Sequence, residues 1–272
     1  MFNEQSKSYN SLYNYYKQVS YNKLEIVSYF YPSPQTTTVC SYTDNNPRSY
    51  YQAYSSINKN GYTSDEESYS RKQGLIYRAI NAIKSQIPSD LDIDFNKDGY
   101  VDNITFIVKG NTEGWNSLLW PHQYYLYQYN VYINSKRVMK YNFQIQSALK
   151  SLGNGVLCHE MFHSLGAPDL YHYNEAYLNY SSVGAWDLME QTANPPQSML
   201  AYMKYRYGKW ISEVPEITKG GTYFIRPISN ETSQCYKIST PKNSNQYFML
   251  EYRKKVTPFE SSLPGTGVII YR

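Results

Sequence analysis

Two histidines and a glutamate lie close together in the middle of the chain, in the order His159, Glu160 and His163. If residues 155–165 form a helix, side chains four positions apart share one face, so both imidazoles can bind the same metal ion. A bound metal lowers the pKa of a water molecule, and Glu160 can take the proton of that water. This spacing predicts a hydrolytic zinc site with Glu160 as its general base.

A third zinc ligand is expected, because catalytic zinc is held by three protein side chains and keeps one position open. Gly166 follows the second histidine by three residues and can end the helix, since glycine accepts a positive φ. Asp169 comes three residues later and can then turn back to the metal. His172 is a competing candidate, but the spacing favours Asp169. The expected zinc ligands are therefore His159, His163 and Asp169.

A methionine follows these residues in the segment 184–189 (GAWDLM). A helix that ends in HExxHxxGxx and a ligand resembles the metzincin peptidases, which also carry a methionine in a turn beneath the metal. We expect Met189 to support the floor of the site without binding zinc. The alternative is that Met189 is an ordinary core residue.

Beyond the zinc motif, the sequence resembles the immune inhibitor A-type secreted bacterial zinc metalloproteases. Members show HExxHxxGxPDLY, which is matched here through Tyr171, and a later WDLM block, which is matched at residues 186–189. Asn22 replaces a glycine that is usual in the family, and Lys209 is inserted into its Gly-Trp pair. Further similar stretches lie at residues 13–24, 119–122, 248–252 and 263–267.

The resemblance implies an α+β fold with two parts. Residues 1–212 are expected to form a metzincin-like zinc protease domain with a mixed sheet and an active-site helix, and residues 213–272 the start of a β-rich region. An opening strand before residue 1 and further β structure after residue 272 are also implied. The start of the chain lacks a signal-peptide pattern, so the expectation of secretion comes from the resemblance alone, as does that of protein or peptide substrates.

An acidic segment between residues 90 and 102 matches the first part of a calcium loop. Oxygen-bearing side chains recur at alternate positions, and a glycine allows the sharp turn. Thr105 stands where an EF-hand has its last glutamate, so the pattern is a shorter DxNxDGxxD loop. The alternative is a solvated acidic turn. The expected calcium ligands are the side chains of Asp94, Asn96, Asp98 and Asp102 and the carbonyl of Tyr100.

Hydrophobic spacing and turn residues predict the elements that position these sites. Helices are predicted at residues 9–19, 65–87, 155–165 and 197–207, the second of them capped by Ser64. Strands are predicted at residues 24–31, 104–109, 223–228, 235–239, 247–252 and 268–271. A hairpin is predicted over residues 123–147 with its turn at Asn134 and Ser135, and residues 32–62 are expected to be irregular.

Composition excludes several classes of protein. The net charge of +4 is spread along the 272 residues without a basic arm, so no nucleic-acid partner is expected. No window of 18 apolar residues occurs, so no membrane span is expected. The three cysteines do not suggest a disulfide framework. The sequence makes no prediction of oligomeric state.

Two alternatives to a peptidase remain at this stage. One is a non-catalytic, metal-stabilised binding or adhesin module derived from a protease fold, and Glu160 argues against it because a structural site needs no base. The other is a zinc hydrolase of non-peptide bonds, which the long form of the motif disfavours.

Overall fold

A computed structural model describes residues 1–6, 10–36, 38–111, 120–230 and 235–272. The helices are α1 (Leu12–Val19), α2 (Asp65–Ile83), α3 (Gln146–Leu152), α4 (Gly155–Ser164) and α5 (Ala201–Met203). The strands are β1 (Ile104–Val108), β2 (His122–Tyr125), β3 (Tyr132–Ile133), β4 (Lys136–Arg137), β5 (Lys140–Ile145), β6 (Tyr236–Thr240), β7 (Asn243–Arg253) and β8 (Gly267–Tyr271). This mixture of helices and small sheets is compatible with the predicted α+β class.

The chain divides into two compact units. One contains Met1–Ser28 and Leu152–Arg272, and the other contains Tyr29–Ser151. The boundary predicted between residues 212 and 213 falls inside the first unit and stays a prediction. Within the described residues, no helix combines the length and the apolar character needed to cross a membrane.

The Tyr29–Ser151 unit is built from α2 and a mixed three-stranded sheet. Strand β5 lies at the centre, parallel to β1 and antiparallel to β2. The hydroxyl of Ser64 accepts a hydrogen bond from the backbone N–H of Glu67 at 3.2 Å, so the predicted cap starts α2. Ile76 and Ile80 of this helix are fully buried in the same core cluster as Phe143 of β5. The predicted mixed sheet is therefore confirmed, and so is the predicted helix up to Ile83, after which residues 84–86 form a 3-10 turn.

The hairpin predicted over residues 123–147 is only partly right. Asn134 and Ser135 both have positive φ, at 46° and 65°, and form the expected two-residue turn between β3 and β4. Residues 146–152, however, form α3. The pairing of β5 with β1 ends at Val108 and Ile145, so the strand stops before the predicted limit at residue 147.

The other unit contains α1, α4, α5 and an antiparallel sheet in the order β6-β7-β8. These three strands confirm the predictions at residues 235–239, 247–252 and 268–271. Helix α1 is capped by Ser11, whose side chain accepts from the N–H of Asn14 at 3.1 Å. Of the predicted features, residue 9 of this helix and Leu119 of the similar stretch 119–122 lie outside the described residues.

Two predicted strands are wrong. Residues 24–31 are not part of any ladder among the described residues, and Val27 and Tyr29 are 52% and 58% exposed. Residues 223–228 contribute one isolated bridge, between Pro227 and Tyr252. Hydrophobic sequence favours an extended backbone, but a strand also needs a neighbour in register to satisfy its N–H and C=O groups.

The helix predicted at residues 197–207 begins four residues late. The N–H groups of Leu200 and Ala201 donate to the buried carboxylates of Asp187 and Glu251. These two carboxylates take the place of a capping side chain next to the helix start. They are distant along the chain, so local sequence could not place the helix start.

Candidate metal centre

Helix α4 carries the zinc motif and is buried on nearly every side. Gly155 starts it where a Cβ would lie 2.4 Å from the carbonyl oxygen of Ala193, so only glycine fits without a shift. The hydroxyl of Tyr16 in α1 donates to the carbonyl of Cys158 at 2.6 Å. Phe162 stacks on Trp210 with ring centroids 5.7 Å apart. These contacts fix the rotation of α4 about its axis. The helix face that carries the two histidines therefore points toward the site.

The C-terminus of α4 reverses the chain at Gly166, as the sequence predicts. Gly166 has φ 94°, which is in the left-handed region that glycine tolerates. Its N–H donates to His163 O at 2.8 Å, and Ala167 N–H donates to Phe162 O at 3.3 Å. These two bonds form a Schellman motif. The turn brings Asp169 back beside the helix.

Three side chains converge at this point. His159 Nε2 and His163 Nε2 are 3.1 Å apart. Asp169 Oδ1 lies 2.9 Å from the first nitrogen and 3.3 Å from the second. Among the described residues, these three form the one group of potential metal ligands with donor atoms within 4.8 Å of one another. The competing candidate His172 is outside the group, and its Nε2 lies 3.4 Å from Ser182 Oγ.

Backbone carbonyls determine the protonation of both rings. His159 Nδ1 lies 3.0 Å from Leu188 O, and His163 Nδ1 lies 2.7 Å from Ala167 O. A carbonyl oxygen only accepts, so each Nδ1 carries the hydrogen and each neutral ring presents a lone pair at Nε2. Two nitrogen lone pairs and one carboxylate oxygen therefore face one another. A single proton can lie along only one of the three contacts, whereas a cation between them satisfies all three.

The spacing of these atoms fits zinc. Tetrahedral zinc with ligands at about 2.0–2.1 Å places neighbouring donor atoms about 3.3 Å apart. The observed 2.9, 3.1 and 3.3 Å are close to this value. The same donor types also accept other divalent transition metals, so the choice of zinc stays a prediction.

Glu160 lies beside this cluster and is 6% exposed. Burial alone would lower the pKa of His159, but the neighbouring Asp169 carboxylate and the charge of Glu160 raise it above its ordinary value. Burial would raise the pKa of Asp169, yet the neighbouring imidazoles of His159 and His163 and the hydroxyl of Tyr173 hold it well below its usual range. The carboxylates and the imidazoles thus form one electrostatic unit.

Residues 184–189 form a tight turn that contacts both His159 and the segment just after Asp169. Leu188 O accepts from the ring of His159, and Met189 O accepts from Leu170 N–H at 3.0 Å. Met189 is fully buried. Asp187 holds the turn through its Oδ1, which accepts from Met189 N–H at 2.7 Å. The expected supporting position of Met189 is consistent with these contacts.

Sequence reasoning did not single out Tyr173. Its hydroxyl donates to Oδ2 of Asp169, the carboxylate oxygen that does not face the histidines. The ring of Tyr171 lies 6.3 Å from that of His159 at an interplanar angle of 17°. A tyrosine four residues after the aspartate is the one local clue, and it is weak in a chain with 33 tyrosines.

The predicted calcium loop turns at Gly99, which has φ 87°. Asp94 accepts hydrogen bonds from the N–H groups of Asp98 and Gly99 at 2.9 and 3.1 Å. Lys136 Nζ lies 2.7 Å from Asp94 Oδ2. Burial and the neighbouring carboxylates raise the pKa of Asp102.

The remaining expected ligands of this loop bond within it. Asn96 Nδ2 donates to Asp98 Oδ2 at 2.9 Å, and Tyr100 N–H donates to Asp98 Oδ1 at 2.9 Å. Asp94, Asp98 and Asp102 do not form a group with donor atoms within 4.8 Å of one another. The loop conformation is thus held by hydrogen bonds and Lys136, and calcium binding stays a prediction.

No known protein-family model matches the sequence, and no curated protein matches it either. The resemblance to immune inhibitor A-type proteases therefore depends on the motif residues themselves.

Proposed function

We propose that this chain is a zinc-dependent endopeptidase that hydrolyses protein or peptide substrates. The observation that carries the proposal is the convergence of His159 Nε2, His163 Nε2 and Asp169 Oδ1 beside the buried carboxylate of Glu160. Bound zinc would polarise the substrate carbonyl and lower the pKa of a water molecule. Three protein ligands leave room for both water and substrate.

Each side chain has a separate role in the proposed reaction. His159 and His163 hold the metal through Nε2, because their Nδ1–H groups are bonded to backbone carbonyls. Asp169 supplies the third ligand and one negative charge. Glu160 accepts a proton from the attacking water and delivers it to the nitrogen of the leaving amine. The peptide bond breaks as that nitrogen is protonated.

The metzincin-like class is part of the proposal. It is supported by the glycine turn at Gly166, by Asp169 as the third ligand, and by the turn that places Met189 against Leu170. Similarity to the immune inhibitor A-type proteases extends the proposal to secretion and to a structural calcium ion at residues 94–102. A metal there would tie down the loop ahead of β1.

Purified protein tests the proposal directly. We expect about one zinc per chain, cleavage of casein, and loss of cleavage when a chelator removes the metal. Glu160→Gln should retain zinc but lose about 10²–10⁴-fold in kcat/KM, the usual contribution of a general base. Glu175→Gln, which changes an exposed glutamate after the third ligand, is the matched control. Full activity in Glu160→Gln would contradict the proposal.

A different result would favour the binding module considered above. The full chain would bind zinc but cleave no member of a broad peptide library. In that case Glu160→Gln would leave every measured property unchanged.

A further inference from the structure

The two carboxylate oxygens of Asp169 have different surroundings. Oδ1 is buried, faces both Nε2 atoms, and has no hydrogen-bond partner among the described residues. Oδ2 accepts a hydrogen bond from the hydroxyl of Tyr173. One oxygen is therefore available to a metal, and the other is held by the protein.

Tyr173 is held in place by its neighbours. Its ring meets that of Tyr171 edge to face, with centroids 5.3 Å apart at 71°, and Tyr171 in turn stacks beside His159. Directly after Tyr173, the side chain of Asn174 accepts from Ala176 N–H at 2.9 Å and starts a 3-10 turn. The ring of Tyr173 is thus held by its contact with Tyr171, and its backbone is held by the 3-10 turn that follows it.

The loop that carries Tyr173 is closed at both ends. At its start, Leu170 N–H donates to Met189 O at 3.0 Å. At its end, the carboxylate of Glu190 accepts from the N–H groups of Ser182, Val183 and Gly184. Although Tyr173 itself is 73% exposed, its position relative to Asp169 is defined by this closed loop.

We propose that Tyr173 is a positioning residue for the metal ligand Asp169, and that its hydroxyl holds Oδ2 so that Oδ1 alone is offered to the metal. A carboxylate can bind a metal through one or both oxygens. Binding through both would fill part of the space that a hydrolytic site needs for water and substrate. Hydrogen-bonding partners of metal ligands orient those ligands in this way and affect metal affinity. The inference rests on the proposed metal site.

Tyr173→Phe tests the inference, because it keeps the ring and removes only the hydroxyl. Zinc affinity of the full chain is measured by competition with a chelating dye, and the coordination of Co²⁺ in place of zinc by its visible absorption. We expect zinc affinity to fall by about tenfold, within the range typical for such partners. We also expect the visible absorption of bound Co²⁺ to weaken, because Oδ2 of Asp169 would then bind as well and raise the number of ligands from four to five. Tyr177→Phe, in the same loop and also exposed, is the matched control.

The outcomes separate this inference from the metal site itself. An unchanged Co²⁺ spectrum in Tyr173→Phe, equal to that of Tyr177→Phe, overturns the role of Tyr173. Asp169→Ala tests the site: if it binds zinc as tightly as the unaltered protein, the proposed function fails as well. Thermal unfolding of the metal-free variants shows whether either change disturbs the fold.

Discussion

Arg253 offers the sharpest test of how the unit that contains the candidate metal centre is held together. Its side chain is completely buried, although it opens a run of three basic residues. The guanidinium donates to Glu260 Oε2 at 3.0 Å, to Glu251 Oε1 at 3.1 Å and to Trp186 O at 3.1 Å. It also bonds to the backbone of Ser198 at 3.1 Å. This one side chain connects β7, the 3-10 turn at residues 258–260 and the start of the methionine turn.

We predict that Arg253→Met lowers the free energy of unfolding by about 3–5 kcal/mol, the cost of removing one partner from a buried ion pair. Methionine fills much of the volume of the arginine stem, so the main loss is electrostatic. Glu251 and Glu260, which are 0% and 2% exposed, would remain without their cation. Total stability of a domain is about 5–15 kcal/mol, so the loss is a large share of it.

Urea unfolding at pH 7, followed by tryptophan fluorescence, measures this difference. Chelator is present in every sample, because a bound metal would add its own stabilisation. Lys254→Met is the matched control, since it changes the adjacent, exposed basic residue. If Arg253→Met unfolds within 1 kcal/mol of Lys254→Met, on the order of a typical surface substitution, the assignment of Arg253 as the central cation is refuted.

Three further predictions concern Gly166, Asp187 and His122. Gly166→Ala should cost about 1–2 kcal/mol of stability, measured in urea, because the Cβ has open space but φ is 94°; no loss would refute the strained turn. Asp187→Ala should cost about 2–4 kcal/mol, since it leaves the N–H groups of Met189 and Leu200 unpaired, and Asp187→Asn should cost less. Burial lowers the pKa of His122 to about 4, so the unfolded chain binds its proton first as pH falls. Stability should therefore drop by about 2 kcal/mol between pH 7.5 and pH 4.5, and His122→Phe should remove that part of the pH dependence.

Local sequence was sufficient to predict the cluster of candidate metal ligands and the helices α1 and α4. The i, i+4 spacing of His159 and His163 is a property of any helix, and the reversal at Gly166 needs only a residue that accepts positive φ. Both effects act over a few residues. The distance of Asp169 from the histidines then follows from the same short segment, which explains why spacing alone favoured it over His172.

Tertiary structure decided the features that depend on partners far away in the chain. Arg253 lies in a run of three basic residues in the sequence, but two glutamates and the carbonyls of Trp186 and Ser198 enclose its side chain. Residues 24–31 have the composition of a strand but no ladder partner among the described residues. The start of α5 is set by Asp187 and Glu251, and the second oxygen of Asp169 is held by Tyr173. Burial, strand pairing and remote capping are properties of the packed chain. The sequence therefore predicted the cluster of His159, His163 and Asp169, but not the residues that hold this cluster in place.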